Sequence, residues 1–171
     1  MTLIYLTPKQ VSITTADISA AEQLLLWSIR TWVMGMKRKT DFKTELERAY
    51  QAYGIPDAST LLDLFMYCLS FGANRSIDIR CRLNGSISPD ELTLLNIMAN
   101  CQQGKTDLAG CLLADLCGDQ YLMQTKAHAT AFTDLFRSRT GLTLTCLKLS
   151  PPRGSALPGN PKEAKYNKIA Q

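Results

Sequence analysis

One histidine, six cysteines and a set of alternating arginines are the side chains of this 171-residue chain that could do chemistry. His128 falls on an expected helix, in a stripe with Tyr121, Thr125 and Leu135. An imidazole on an apolar face beside a tyrosine can act as a general base or a ligand, so His128 is the one candidate catalytic residue; a core or boundary histidine bonded to backbone is the commoner use. Cys68 or Cys111, if folding brought either beside His128, would give a thiolate–imidazole pair. The six cysteines, Cys68, Cys81, Cys101, Cys111, Cys117 and Cys146, form no CxxC and none lies close to His128 in sequence. Metal sites show tight ligand spacing, so no metal is expected, and nothing specifies a cofactor. Arg80 and Arg82 fall on one side of an alternating stretch, with Arg75 just before it. They offer an anion contact, against the plainer alternative of a solvated edge whose charges discourage strand pairing.

Nucleotide and hydrolase signatures are missing: there is no GxGxxG, GxSxG, HExxH or DxDxDG. Gly104-Lys105-Thr106 matches the end of a P-loop, but Ala99 stands where its first glycine belongs and a helix precedes it. Two helix–turn–helix units, 41–71 and 89–117, have second helices reading LLDLFMYCLSF and DLAGCLLADLC. A recognition helix needs Arg, Lys, Asn or Gln on its exposed face, so nucleic acid is not an expected partner. Residues 1–149 hold 15 basic against 14 acidic side chains, and residues 150–171 hold 4 against 1. The body is therefore nearly neutral and lacks the broad basic face that grips phosphate backbones.

The elements are organised around Leu24–Met36, LLLWSIRTWVMGM. Ser19 and Glu22 form a capping box, starting a helix that runs to Lys39. Gln23, Arg30 and Lys37 recur every seven residues as a narrow exposed stripe, and the rest is apolar. The run is shorter than the about 20 apolar residues of a membrane span and Arg30 interrupts it, so it is expected as a core helix without membrane insertion. Lys37-Arg38-Lys39 complements the helix dipole. A polar amphipathic helix from Asp41 to Tyr53 follows and ends at Gly54 before Pro56. Residues 59–71 form a second core helix, expected to pack on the first. Arg30 and Asp63 are the lone charges of these two stretches. They either pair, a costly arrangement when buried, or each lies on a thin solvent stripe, the preferred expectation because exposed charge is commoner.

Ser76–Leu83 alternates apolar and polar over eight residues and is the best strand signal. Ser88-Pro89-Asp90-Glu91 is a sharp helix start, for a helix to Gln103. Residues 106–117 and 120–139 give two more. Leu142–Leu149 is β-prone, and Leu3–Leu6 with Val11–Thr14 forms a hairpin or a lead-in under the first helix. The N-terminal MTLIYLTPKQ has no basic region and only a four-residue apolar run, so it is not expected to be a signal peptide. With the dispersed cysteines this favours a reduced, cytoplasmic setting.

The expected fold is mainly α: a single-domain bundle of five or six helices over residues 1–149 with a minor two- or three-stranded β element. A flexible Pro/Gly-containing basic tail is expected over 150–171. The expected function is a non-catalytic protein-interaction or regulatory module whose partner is itself or another protein. Trp27, Met34, Leu94 and Ile97 are its apolar contact residues, since surplus apolar surface marks contacts. A helical domain holding a small apolar ligand among its methionines is the alternative, and an enzyme using His128 is third.

Overall fold

The computed structural model describes residues 13–148. The expected tail over 150–171 and the segment 3–6 lie outside them. Among the described residues the chain forms six helices: α1 (Ala20–Arg38), α2 (Phe42–Gln51), α3 (Ala58–Gly72), α4 (Pro89–Gln102), α5 (Thr106–Leu116) and α6 (Asp119–Thr140), preceded by a 3-10 turn at Thr15–Asp17. The helical class is as expected.

The helix starts follow from their caps. The Glu22 amide donates to Ser19 Oγ at 3.4 Å, and Glu22 Oε2 accepts from the Ser19 amide at 2.8 Å. Ser88 and Glu91 repeat the arrangement at 3.0 and 2.9 Å, with Pro89 in the first turn. Lys39 ends α1 in the left-handed region, at φ 53°. Gly35, one turn earlier, lets Phe42 lie where a Cβ would overlap its ring, which folds α2 tightly back on α1.

The most extensive helix pair is α3 with α6; α1 touches α2, α3 and α4 more lightly. The two expected core helices, α1 and α3, do meet, but α3 packs far more extensively on α6. Gly72 at the end of α3 explains part of it, since a Cβ there would stand 2.6 Å from Tyr121 Cβ on α6. The core contains Leu25, Ile29, Tyr50, Phe65, Met98, Phe132 and Phe136, all within 4 % exposed. Tyr50 meets Phe132 edge-on at 6.0 Å, and Phe132 stacks on Phe136 at 5.7 Å. The buried Tyr50 hydroxyl donates to Ser28 Oγ at 2.9 Å, and Ser28 Oγ donates to Leu24 O at 2.8 Å. Burial pushes the Tyr50 phenol well above its ordinary value, the Ser28 bond opposing.

The minor β element does not form among the described residues. Among the described residues only two isolated bridges occur, Thr14 with Ser86 and Ala73 with Cys117. Residues 76–81 and 141–148 run without regular secondary structure. Their backbones are satisfied by side chains of α4 and its cap instead of by a neighbouring strand. The Asp78 amide donates to Asp90 Oδ2 at 2.7 Å and the Arg80 amide to Glu91 Oε1 at 2.9 Å. Ser88 Oγ donates to Asp78 O. At the other end of α4, Asn96, Gln102 and Gln103 take the backbone of 142–147. Alternation correctly marks apolar residues turned inward, as Ile77 and Ile79 are, but says nothing about what pairs the backbone. It also breaks down further along, because Leu83 is 97 % exposed.

Candidate interaction face

α3 has two apolar sides. Ala58, Leu62, Phe65 and Leu69 lie on one and are buried. Thr60, Leu64, Tyr67 and Phe71 lie on the opposite side, within about 60° of one another at 100° per residue. Leu64, Tyr67 and Phe71 are 42, 48 and 64 % exposed. The Tyr67 and Phe71 rings sit 5.0 Å apart, tilted by 39°. The outer stripe carries no charge. The helix's one carboxylate, Asp63, is turned aside: it accepts from Trp32 Nε1 at 2.7 Å and from Lys43 Nζ at 2.9 Å. That partner holds the Lys43 ammonium above its ordinary value.

Two of the expected contact residues are corrected. Leu94 and Ile97 on α4 have no exposed surface and belong to the core. Trp27 and Met34 on α1 are half-buried. Trp27 borders a cleft of about 200 Å³ together with Gln23, Leu26, Arg82 and Leu83. A second cleft of about 290 Å³ lies between α2 and α3 beside Lys43, Glu47 and Asp63. Both are edged by charged side chains, so neither favours an apolar ligand.

The three arginines do not converge on an anion site, because each is engaged within the chain. Arg75 is bidentate on Asp90, at 3.0 and 2.9 Å, and also reaches Asp115 at 3.2 Å. Those bonds hold the Asp90 carboxyl below the ordinary carboxylate range, with partial burial opposing and the Asp78 amide assisting. Arg80 bonds Ser86 Oγ, and Arg82 bonds Glu45 on α2.

Arg30 is 2 % exposed, so neither sequence expectation for it holds: it is not on a solvent stripe and its partner is not Asp63. It pairs with Glu91 on α4, whose burial is complete. The same guanidinium donates to Asn84 O at 2.6 Å and Ser86 O at 2.8 Å. This pair clamps the 80–88 loop between α1 and α4.

His128 is half-buried on α6, and among the described residues its side chain makes no hydrogen bond. Neither a cysteine nor a carboxylate is bonded to it. Among the described residues no group of three metal-ligating side chains comes together. All six cysteines are free. Burial pushes the Cys101 and Cys117 thiols up, which keeps them protonated and unreactive. Among the described residues no helix is long and apolar enough to cross a membrane. The chain matches no protein-family model, no curated protein and no solved structure.

The outer face of α3 was missed in the sequence because LLDLFMYCLSF reads as a wholly buried helix. The available signal was angular: the helix has apolar side chains both on its core side and directly opposite it. The buried side of α3 packs mainly on α6, with lighter contacts to α1 and α2, and its outer side keeps its surface.

Proposed function

We propose that this chain is a non-catalytic protein-interaction module that docks a protein partner, a second copy or another chain, on the outer face of α3. The observation that carries this is the exposed, uncharged stripe of Leu64, Tyr67 and Phe71 opposite the buried side of the same helix. Aromatic side chains are enriched at the centres of protein contacts, and charged ones are depleted there. Tyr67 and Phe71 bring large apolar area with few rotatable bonds, so little entropy is lost when a partner covers them. The free thiols fit a reducing compartment, and we assign the module to the cytoplasm on that basis.

The test is native mass spectrometry of the full chain and of a Tyr67→Lys/Phe71→Lys variant, both taken from the producing cell, alongside thermal unfolding. Assembly, with itself or a co-purifying chain, is expected for the parent and lost in the variant, with the unfolding temperature unchanged within about 2 °C for surface substitutions. Assembly that survives the double lysine variant puts the contact elsewhere.

A further inference from the structure

The outer stripe of α3 runs into a cleft at its N-terminal end. Thr60, the first residue of the stripe, also borders the cleft of about 290 Å³ between α2 and α3. Asp63, another residue of that cleft, lies one turn before Tyr67, and Thr60 lies one turn before Leu64. Residues four apart on a helix are neighbours on its surface, so cleft and stripe form one continuous surface.

The cleft is amphipathic. Phe42, Leu46 and Pro56 give it apolar walls, and Glu47, Asp57 and Asp63 stand beside them. Asp63 is answered by Lys43 Nζ at 2.9 Å and by Trp32 Nε1 at 2.7 Å. Glu47 and Asp57 are exposed and have no ion-pair partner among the described residues. Asp57 stands directly before α3, yet its carboxylate does not cap the helix. With Lys43 as the only cation lining the cleft, two of its carboxylates stay uncompensated.

A side chain that suits both parts of this cleft has an apolar stem and a cationic head. Lysine and arginine are built that way, their methylenes lying on apolar surface while the charge stays at the polar edge. Beyond the cleft the surface takes apolar side chains only, over the seven residues from Leu64 to Phe71, about 10 Å of helix. A second copy meets this pattern poorly. Its own α3 stripe carries no charge, and Arg75, just past the end of α3, is held by Asp90 and Asp115.

Resting on the reading of this face as a docking surface, we propose that its partner is a segment of a different protein that places a lysine or arginine in the cleft between α2 and α3 and, starting about 6 Å further along, apolar side chains on Leu64, Tyr67 and Phe71. The apolar contact supplies most of the affinity. The carboxylates select basic segments over acidic ones and fix the direction in which the segment lies.

The test selects a display library of random peptides on the immobilised full chain, with counter-selection on the Tyr67→Lys/Phe71→Lys variant so that retained peptides need the stripe. Retained peptides should share a lysine or arginine at a fixed spacing from apolar residues. Resynthesised with glutamine at that position, they should lose about five- to tenfold in affinity by fluorescence anisotropy, and the full chain carrying Glu47→Gln with Asp57→Asn should bind the original peptides weaker by the same factor. The two losses should not add, because they remove one contact from its two sides. Should the chain variant fail to fold, the peptide substitution decides alone. Stripe-dependent peptides with no shared basic residue, or with one whose loss changes nothing, overturn the inference and leave docking on α3 intact. If no peptide separates the parent from the stripe variant and the parent is monomeric, docking on this face falls and the inference with it. A parent that instead pairs with itself through the stripe, and stops pairing in the stripe variant, overturns the assignment to a different protein.

Discussion

Arg30 of α1 lies fork-on-fork against Glu91 of α4, with Nε 2.7 Å from Oε1 and Nη2 2.8 Å from Oε2, and both side chains are buried. Many buried ion pairs can be exchanged for apolar residues without loss. This one differs, because its two members also hold four backbone groups of the 80–88 loop: the Arg80 and Ser88 amides and the Asn84 and Ser86 carbonyls. Glu91→Ala should lower stability by about 3–5 kcal/mol, because a buried guanidinium then lacks its counter-charge. The double variant Arg30→Met/Glu91→Leu should remain destabilised, since the loop's backbone groups become orphans at about 1–3 kcal/mol each where they stay buried. Urea unfolding of both variants decides it. A double variant as stable as the parent would show that the loop finds other partners.

Thr31, one residue further along α1, is 2 % exposed, and its Oγ1 is the one buried side-chain polar atom without a hydrogen bond among the described residues. An unpaired hydroxyl away from water is unfavourable by about 1–3 kcal/mol. Thr31→Val keeps the shape and removes the hydroxyl. It should raise the unfolding free energy by about 1 kcal/mol. A loss of similar size would mean that the hydroxyl has a partner in solution.

Gly72 is the small residue that lets α3 and α6 meet. In an unconstrained helix, alanine would be favoured over glycine by about 1 kcal/mol. Here Gly72→Ala drives a methyl into Tyr121 and should destabilise by about 1–3 kcal/mol. Tyr121→Gly, which removes the Cβ as well as the ring, should also destabilise, but the pair should lose less than the sum of the two single changes, which a double-mutant cycle measures. Strict additivity would remove the steric account.

The helices were legible in the sequence to within a residue or two because their ends are chemically marked: Ser19 with Glu22, Asp41, and Ser88-Pro89-Asp90-Glu91. Partnership was not legible. The side chains of Glu22 and Glu91 each cap a helix and also serve a second, distant segment: Thr145, 123 residues away, and Arg30 with Arg80. Nothing local distinguishes such a glutamate from one that caps alone. The same blindness produced the β element: 76–83 and 142–149 were read as β-prone chain, and among the described residues their backbones are taken by side chains of α4 and its cap rather than by a neighbouring strand. Of the four expected contact residues, two are buried. Leu94 and Ile97 sit on α4, which is hemmed in by α5, α6 and α1, whereas α3 has its outer side open.

Acid should unfold this protein through its doubly used carboxylates. Burial pushes the Glu22 carboxyl up, but bonds from Thr145 and then Ser19 outweigh it, so the folded value lies below the ordinary 4.5. The Arg75 bonds likewise hold Asp90 below 3.8. A group whose folded value is depressed contributes stability that is complete above its unfolded value and is lost as pH falls through the folded one, because the unfolded chain takes up protons first. Stability from these two should therefore be flat from neutrality to about pH 5 and decline below it. Urea midpoints at pH 7, 5, 4 and 3 measure this directly. Glu22→Gln keeps an acceptor for Thr145 but turns an amide donor toward the Ser19 amide, itself a donor. It should lower the midpoint at pH 7 and flatten the fall below pH 5, so that parent and variant converge in acid. Parallel curves for the two chains would remove Glu22 from the acid response and leave it to Asp90 and the other carboxylates.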